Sequence, residues 1–189
     1  MNIQLKKMKF STVVPMIDDF YNVLSANRAR LEPWFWWASE KVTPNKCRYA
    51  LFMLLYILDT KRKELAHKLN HTKKYDEQFI INVDNEFAGI IGMDNIDDMT
   101  KKAELWGWLS RGQQAFVVAD KSLKILEDYC INEKHLESLY AKTQTSNRAV
   151  RIAARRNGFT LKSVAYGVPV SKRNPKITGI MTWEKQLVK

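Results

Sequence analysis

Cysteine and histidine are scarce in this chain, which has two cysteines and three histidines among 189 residues. Cys47 and Cys130 lie far apart, no CxxC pair occurs and the histidines do not cluster. We therefore expect no zinc site and no other bound metal. Both cysteines fall in apolar helical patterns, which favours free thiols in the protein core. Free thiols are typical of a reducing compartment, so we expect a cytoplasmic protein.

The sequence also lacks an apolar stretch of the length that crosses a membrane. The run YALFMLLYIL (49–58) has about half the length that a spanning helix needs, and we expect it to be a buried helix. The opening MNIQLKKMKF has no apolar centre of the kind found in signal peptides. No repeat, low-complexity tract or linker divides the chain, which predicts a single domain over 1–189 and no membrane partner.

Acidic residues are in the minority, with 20 Asp and Glu against 31 Lys and Arg, so the formal net charge is +11. An excess of this sign favours a polyanionic partner: nucleic acid, an acidic protein or a phosphate-bearing cofactor. Most of the basic residues are scattered in short groups, which is typical of a solvated surface. The exception is a predicted helix at 148–156 that carries Arg148, Arg151, Arg155 and Arg156. No nucleic-acid recognition motif accompanies the charge, so a nucleic-acid partner is not expected.

Hydrophobic periodicity predicts a strand and two helices in the first part of the chain. The strand is IQLKKMKF (3–10), and Pro15 is well placed in the first turn of the first helix. Thr43 and Pro44 predict the start of the second helix, roughly 44–69. Its apolar positions are Leu51, Leu54, Leu55, Leu58, Leu65 and Leu69.

The remainder of the chain alternates between strands and helices. DNE (84–86) reads as the turn of a hairpin, and Asn157-Gly158 as the left-handed stop of a helix. The predicted strands are 77–84, 87–96, 103–110, 136–144, 160–170 and 176–188, with helices after the third and fourth of them. This order predicts an α/β (α+β) fold, a mixed central sheet with helices on both faces.

One predicted strand-to-helix turn contains very little glycine, a residue that would be informative about function at this position. In WGWLSRGQQAFVVADKSLKILEDYC (106–130) a strand runs into a helix through a turn with one glycine, Gly112. Such a junction binds anions, because free N–H groups and the positive helix end both point at it. Glycine usually lines junctions that hold a pyrophosphate, since it permits close approach. The segment predicts either a weakened phosphate site or an ordinary connection.

Four stretches follow one another in a recognisable order. LSANRARLEPWFWW is a helix that ends before a Trp-rich segment, and AGIIGMDNID is a glycine-bearing strand. AELWGWLS is the next strand, and TSNRAVRIAARRNGF is a helix that opens with Asn and closes with Gly-Phe. Together they resemble the GNAT N-acetyltransferase superfamily, and within it the ribosomal-protein N-terminal (Rim-type) branch. The resemblance covers nearly the whole chain and implies acetyl-coenzyme A as cosubstrate.

The resemblance places the coenzyme pyrophosphate at the glycine-poor turn, where the family carries Gln/Arg-x-x-Gly-x-Gly/Ala. The corresponding residues here are Gln114, Ala115, Phe116, Val117, Val118 and Ala119. Val117 replaces the central glycine, which crowds the phosphate and disfavours a positive φ. Asp120 adds a like charge beside the diphosphate. We expect weakened coenzyme binding, with an ordinary connection in an inactive homologue as the alternative.

The implied reaction is direct attack of an amine on the acetyl thioester. Glu104 takes the position of the family's strand glutamate and is the candidate base. The alternative is an exposed glutamate that pairs with Lys101 or Lys102. The backbone N–H of Leu109 or its neighbour is the candidate donor to the developing oxyanion.

The last helix carries the second implied coenzyme contact. Asn147 matches the family asparagine that meets the coenzyme arm, and its alternative role is a helix N-cap, for which Ser146 competes. The family often places a serine three residues later as partner of the leaving thiolate, and Val150 stands there. Tyr166 and Tyr140 are the candidate substitutes.

Trp34, Trp36 and Trp37 are the candidate walls of the acceptor pocket, or else a hydrophobic anchor for the first helix. The leading expectation is an N-acetyltransferase for an amine: the α-amino group of a protein, ribosomal or other, or a small amine. The alternative is a GNAT-like binding module that has lost catalysis and binds coenzyme A weakly or not at all. The sequence leaves a homodimer open.

Overall fold

The computed structural model describes residues 1–70, 74–110, 112, 115–171 and 174–187, and at 70, 168–171 and 174–178 the backbone alone. The helices are α1 (Phe10–Val13), α2 (Ile17–Leu31), α3 (Lys46–Asn70), α4 (Ala115–Asn132) and α5 (Arg148–Arg156), with single 3₁₀ turns at Val14–Met16 and Trp36–Ala38. The strands are β1 (Ile3–Lys7), β2 (Tyr75–Val83), β3 (Glu86–Asp97), β4 (Lys102–Leu109), β5 (Ser138–Gln144), β6 (Thr160–Ser171) and β7 (Asn174–Gln186).

The strands form one seven-stranded sheet in the order β1-β2-β3-β4-β5-β7-β6. Neighbouring strands are antiparallel except for β4 and β5, which run parallel. Two parallel strands need a crossover connection, and α4 supplies it. The predicted mixed sheet is confirmed.

The hairpin of β2 and β3 turns at Asp84 and Asn85, whose φ angles are 49° and 72°. Two successive positive φ angles define the hairpin turn whose twist matches that of the strands, and Asp and Asn tolerate them best after glycine. The predicted hairpin is therefore confirmed, and its turn follows from local chemistry.

The ladder between β4 and β5 is short. It joins residues 102–104 of β4 to residues 138–140 of β5. Both strands continue beyond it, to Leu109 and to Gln144. Because no register pair joins these fully described continuations, the strands part and leave a wedge between them. We call this wedge the β4–β5 gap.

The two faces of the sheet each carry a separate core. One contains Leu126, Cys130 and Leu139, and it packs α4 and α5 against the sheet. The other contains Phe20 and Tyr49, and it packs α1, α2 and α3 against the opposite face. Helices on both faces were predicted, and this prediction is confirmed.

The helix predicted around 49–58 is buried on one side only. Tyr49, Met53 and Ile57, spaced by four residues, are at most 3% exposed and face the core. Most of the leucines expected there are half or more exposed, and these are Leu51, Leu55, Leu58, Leu65 and Leu69. The expectation of a buried helix is thus wrong, because a helix lying on a sheet buries one stripe and other side chains occupy it.

One of the two cysteines expected in the core is exposed. Cys47 lies on the surface near the start of α3, ahead of its first buried residue, whereas Cys130 is buried as expected. Val150 is 37% exposed, because the short α5 turns Ala154 to the sheet instead. The predicted stop of α5 is confirmed by Gly158, whose φ is 78°.

Candidate active site

The backbone of Leu109 faces the β4–β5 gap. The next residue, Ser110, donates its N–H to the carbonyl of Ala88 on the β3 side. Backbone groups of successive strand residues point alternately to the two neighbours, so the N–H and C=O of Leu109 point into the gap. The guanidinium of Arg30, near the end of α2, donates to that carbonyl. The residue predicted to donate to the oxyanion therefore lines the gap.

The chain that follows α2 is tied to the other side of the gap as well. Gln144, the last residue of β5, donates its side-chain amide to the Pro33 carbonyl at 3.4 Å. With Arg30 bonded to β4 and Pro33 bonded to β5, the end of α2 and the next residues bridge the open end of the gap. The Trp-rich segment follows directly.

Arg28 fixes the far side of this Trp-rich loop. Its guanidinium donates to the Ala38 carbonyl at 2.6 Å and to the Thr43 carbonyl at 2.9 Å. It also donates to the Thr43 hydroxyl at 3.1 Å. One side chain of α2 thus closes a loop of irregular backbone, which needs such partners for its carbonyls.

The predicted tryptophans are part of an aromatic cluster between this loop, α3 and β4. The Trp37 ring stacks on Phe52 with centroids 5.8 Å apart and lies 6.2 Å from Trp108. Trp36 meets Phe52 edge-on at 6.0 Å. Trp36 and Trp37 therefore anchor the loop to α3 and β4. Both remain partly exposed, as does Trp34, so all three can still border a ligand.

Glu104 lies at the closed end of the gap, because it is the last residue of β4 that pairs with β5. Its carboxylate accepts from Lys142 at 3.2 Å and from the Asn95 amide at 3.5 Å. The cationic partner is Lys142 of β5 rather than Lys101 or Lys102. Glu104 remains 22% exposed at its side chain and so stays accessible from the gap.

Asp94 is a site residue that the sequence reasoning missed. It lies on β3 opposite Glu104, and its carboxylate accepts from the Trp106 indole at 2.8 Å and from Gln78 at 3.3 Å. Burial raises the pKa of Asp94 to about 6, and the charge of Asp76 acts in the same direction. A carboxyl group that titrates near neutrality beside a cleft is suited to proton transfer.

The two candidate tyrosines lie in different places. Tyr140 aligns with Glu104 across the β4–β5 ladder. Burial and the charge of Glu104 raise the pKa of Tyr140 to about 12, so its hydroxyl keeps a proton to donate. Tyr166 is on β6, separated from β5 by β7, and it is 79% exposed. The structure therefore brings Tyr140, and not Tyr166, next to the candidate base.

The predicted coenzyme loop is the beginning of α4. Gln114 lies outside the described residues, and the others are helical: Ala115, Phe116, Val117, Val118 and Ala119. Val117 has a helical backbone, so its reluctance to adopt a positive φ is not a defect here. Its side chain is 41% exposed and that of Phe116 43%, so both project from the first turn.

The backbone donors of this turn are fewer than the sequence suggested. Helix geometry leaves the first-turn N–H groups, including those of Phe116 and Val117, without a carbonyl inside α4. The N–H of Ala119, in contrast, has the Ala115 carbonyl four residues back. The N–H of Ala115 bonds to the Gly112 carbonyl at 3.2 Å. Phe116, Val117 and Val118 thus carry the first-turn N–H groups that have no carbonyl inside α4 and that a bound anion can use.

The carboxylate of Asp120, close to this site, has partners that offset its negative charge. It accepts from Arg156 at 2.6 Å and from the Asn157 amide at 2.8 Å, both at the end of α5. The Arg156 guanidinium also lies over the Phe116 ring, 5.4 Å from its centroid. The expected repulsion by Asp120 is therefore compensated, and a cation stands beside the first turn of α4.

Asn147 caps α5, because its side-chain oxygen accepts the N–H of Val150 at 3.3 Å. The capping role expected as its alternative belongs to Asn147 rather than to Ser146. In the same helix, Arg151 donates to the Thr145 carbonyl at 2.8 Å. These contacts hold the start of α5 at the open end of β5.

A further arginine of α5, Arg155, lies with its guanidinium over the Trp183 ring, 5.8 Å from the ring centroid. Three arginines of α5, Arg151, Arg155 and Arg156, therefore make contacts within the molecule. They hold α5 to the sheet and to α4.

An open cavity of about 640 Å³ adjoins the same turn. Its lining includes Leu109, Ser110, Gly112 and Ala115, together with Val118 on the next turn of α4. The junction of β4 and α4 therefore borders open space rather than packed side chains.

Among the described residues, no group of three or more His, Cys, Asp or Glu side chains is arranged to hold a metal ion. In the same part of the chain, no helix combines the length and the apolar character needed to cross a membrane.

Comparison with known sequences gives a consistent result. A family model described as an acetyltransferase (GNAT) domain matches residues 23–160. The chain is 26% identical over 104 residues to the ribosomal-protein-serine acetyltransferase of Escherichia coli (strain K12). That match covers 55% of this chain and 58% of the relative, so it spans somewhat more than half of that protein's length.

Solved structures of similar architecture include a RimL ribosomal-protein alpha-N acetyltransferase in complex with coenzyme A. Its TM-score is 0.75 at 19% identity, with 99% of this chain and 95% of that chain covered. RimJ of Mycobacterium smegmatis, in complex with a coenzyme A disulfide, has a TM-score of 0.73 at 17% identity, covering 97% and 81%. Spermidine N-acetyltransferase from Vibrio cholerae has a TM-score of 0.68 at 12% identity, covering 98% and 95%.

The likeness to solved structures concerns the fold, whereas the family match concerns the sequence. Residues 23–160 run from α2 to the first residue of β6. They include the β4–β5 gap, the carboxylates at its closed end and the first turn of α4. The chain therefore belongs to the GNAT acetyltransferase family.

Proposed function

We propose that the protein is an acetyl-coenzyme A-dependent N-acetyltransferase that acts on an amine, foremost a protein N-terminal α-amino group. The observation that carries the proposal is the β4–β5 gap, with the Leu109 backbone directed into it and Glu104 at its closed end. The gap offers a channel between two strands whose backbone groups are available to an extended ligand. The family to which the chain belongs supplies the reaction class.

The coenzyme fits along one route through these elements. Its diphosphate lies at the first turn of α4, where the N–H groups of Phe116 and Val117 and the nearby Arg156 guanidinium oppose its charge. Its amide-bearing arm enters the gap past Asn147 and ends near Leu109. There the Leu109 N–H donates to the thioester oxygen, on which negative charge develops.

The acceptor amine attacks from the face that carries the aromatic cluster. Its nitrogen bonds to the thioester carbon, and the carbon–sulfur bond breaks as the tetrahedral intermediate collapses. Glu104 is five residues from Leu109 along β4, roughly 16 Å away, so water between them carries the proton that the nitrogen loses to Glu104, with Asp94 as its neighbour on β3. Tyr140, which aligns with Glu104 and replaces the expected Tyr166, supplies the proton of the departing sulfur through the same water.

A protein N-terminus is the favoured acceptor for a structural reason. The bridge from Arg30 to Pro33 and the partly exposed Trp34 border the open end of the gap. Aromatic side chains suit a peptide, which brings apolar side chains together with its amine. The curated relative named above acts on a ribosomal protein, and the Vibrio cholerae protein is named for spermidine, a small amine.

The first test is a thermal-shift titration of the wild-type protein with acetyl-coenzyme A and with coenzyme A. Both ligands are expected to raise the melting temperature, because a ligand of the folded state alone stabilises it by mass action. Absence of any shift at millimolar ligand contradicts the proposal and favours the binding module without coenzyme.

The second test measures acetyl transfer to an N-terminal peptide and to spermidine. Glu104→Gln is expected to lower kcat by roughly 10²- to 10⁴-fold while the thermal shift with the coenzyme stays intact. Glu133→Gln, at the exposed end of α4, is the matched control and keeps full activity. Equal loss in both variants would remove Glu104 from the reaction.

A further inference from the structure

Helix α3 exposes a regular row of leucines on the side turned away from the sheet. Five leucines, each half or more exposed, make up what we call the leucine stripe: Leu51 (50%), Leu55 (56%), Leu58 (51%), Leu65 (58%) and Leu69 (71%). A regular row of exposed leucines is uncommon on a monomer, whose largest exposed apolar patch is roughly 300–600 Å². The regularity of the row indicates a partner.

The spacing of the stripe identifies the kind of partner. Its members follow one another at intervals of four, three, seven and four residues, and Arg62 occupies the position that divides the interval of seven. Alternation of three and four is the pattern of a coiled-coil seam. A seam is narrower than the broad apolar face by which a helix lies on a lipid surface. The stripe therefore fits another helix.

We propose that the partner is a second copy of this chain, and that two α3 helices pack antiparallel through their leucine stripes. A two-fold axis near Thr60 brings every member of the stripe opposite a seam position of the other copy. The facing pairs are Leu51 with Leu69, Leu55 with Leu65, and Leu58 with Arg62, one residue of each pair from each copy.

Charge decides between the two directions of packing. A parallel pair with the same seam would place Arg62 against Arg62 of the second copy. In the antiparallel pair Arg62 lies opposite Leu58 and next to Asp59 of the second copy. Asp59 already accepts from Arg62 of its own helix at 2.8 Å and pairs with Lys63 at 3.4 Å, and its side chain is still 47% exposed. Its remaining lone pairs can accept from the second copy.

The length of α3 suits such an interface. Its 25 residues extend about 37 Å, and the stripe occupies most of this length. Because Tyr49, Met53 and Ile57 hold the opposite side against the core, the stripe is available without any change in the fold. The interface is also independent of the proposed enzyme activity, since no stripe residue lines the β4–β5 gap.

The test is the molar mass of the full chain in solution, measured by light scattering after gel filtration. The wild-type protein is expected at twice the chain mass of 22.1 kDa. Leu55→Lys and Leu65→Glu, made separately, are each expected to give a monomer, because each buries a charge against a leucine. The double variant Leu55→Lys with Leu65→Glu is expected to restore the dimer, because the antiparallel arrangement pairs each new lysine with a new glutamate.

Ile125→Glu is the matched control, since it places the same charge at an exposed apolar residue of α4, 38% exposed. It is expected to remain dimeric. Circular dichroism of every variant checks that a change of mass is not a loss of fold.

Three results would overturn the proposal. The first is a wild-type protein that stays monomeric at about 0.1 mM, including one that instead sediments with anionic lipid vesicles. The second is a dimer that survives Leu55→Lys and Leu65→Glu alike. The third is a folded double variant that stays monomeric, which would contradict the antiparallel register.

Discussion

At the scale of single residues, the environment of Asp94 lowers folding stability when the carboxyl group is ionised and suits a role in proton transfer. The Asp94 side chain is half-buried between β3, β4 and α3, where the charge of Asp76 opposes ionisation. Hydrogen bonds from Trp106 and Gln78 compensate only in part. A group of this kind is costly when ionised, so its presence beside the gap supports a chemical role.

Asp94→Asn is therefore expected to stabilise the protein in a pH-dependent manner. Because the pKa of Asp94 is raised by folding, the folded state binds its proton more tightly and loses stability as pH rises from about 4 to about 6. The variant removes this loss and gains roughly 1–3 kcal/mol in free energy of unfolding at about pH 8, and only about a third of that gain at pH 4.5.

Urea unfolding at both pH values measures this difference. Asp128→Asn, an exposed carboxylate on α4, is the control and changes stability little at either pH. An equal effect of Asp94→Asn at the two pH values would show that its ionisation does not cost stability.

Val117 gives a second prediction at this scale. Its side chain projects from the first turn of α4, next to the N–H groups that we assign to the diphosphate. Val117→Ala is expected to tighten coenzyme A binding a few-fold, because it removes two methyl groups there and keeps the helix. Isothermal titration calorimetry measures the affinity, and Ile125→Ala on the same helix should leave it unchanged. Unaltered affinity in Val117→Ala would mean that the side chain does not border the ligand.

The sequence predicted the positions of these residues better than their surroundings. Val117 was expected in a loop and lies in a helix, where a positive φ is not required. Asp120 was expected to repel phosphate and is paired with Arg156, 36 residues away in the sequence. Asp94 was overlooked, although Ile90, Gly92 and Asp94 alternate on the face that carries Glu104 and Trp106. A partner that is distant in the sequence leaves no local pattern, so the sequence alone does not show whether a charged side chain is paired.

At the scale of elements, the loop between α2 and α3 depends on one side chain. Arg28 reaches two carbonyls and a hydroxyl of residues 38–43 with both arms of its guanidinium. The loop in turn positions Trp36 and Trp37 on Phe52. Loss of the fork should therefore loosen the acceptor side of the site without touching the coenzyme side.

Arg28→Lys is expected to lower the free energy of unfolding by about 1–3 kcal/mol, because an ammonium cannot replace the planar fork and leaves a carbonyl unsatisfied. Urea unfolding followed by tryptophan fluorescence measures the loss. Arg48→Lys, exposed at the start of α3, is the matched control. Equal stability of the two variants would contradict the role given to Arg28.

Element types were predictable, whereas the buried face of α3 was not. Its leucines carry the strongest apolar signal in the helix, yet Tyr49, Met53 and Ile57 contact the core. Hydrophobic periodicity predicts that the helix has an apolar stripe. It does not report whether the stripe meets its own sheet or another surface, because both partners select the same side chains.

At the scale of the whole molecule, the positive charge is distributed rather than focused. Many cations are paired with carboxylates across the sheet, among them Lys7 and Lys134 with Glu77, and Lys185 with Glu127. We expect random duplex DNA to give no discrete complex in a gel shift at about 0.15 M salt. A defined band that weakens steeply with added salt would restore nucleic acid as a partner.

The order of strands and helices was enough to predict most of the fold. A hairpin of antiparallel strands followed by a strand–helix–strand crossover can be arranged in only a few ways. The divergence of β4 and β5 could not be read from the sequence. It depends on where a parallel ladder stops, and both strands continue with ordinary strand residues after that point.

This early end of the ladder means that the sheet is incomplete as the chain alone builds it. At Gly107 and Leu109 the ladder has no hydrogen bonds to β5, and an extended ligand with amide groups at strand spacing can make them. Binding of such a ligand should slow hydrogen–deuterium exchange at the Leu109 N–H. The Trp108 N–H, which bonds toward β3, should stay equally protected with and without the ligand.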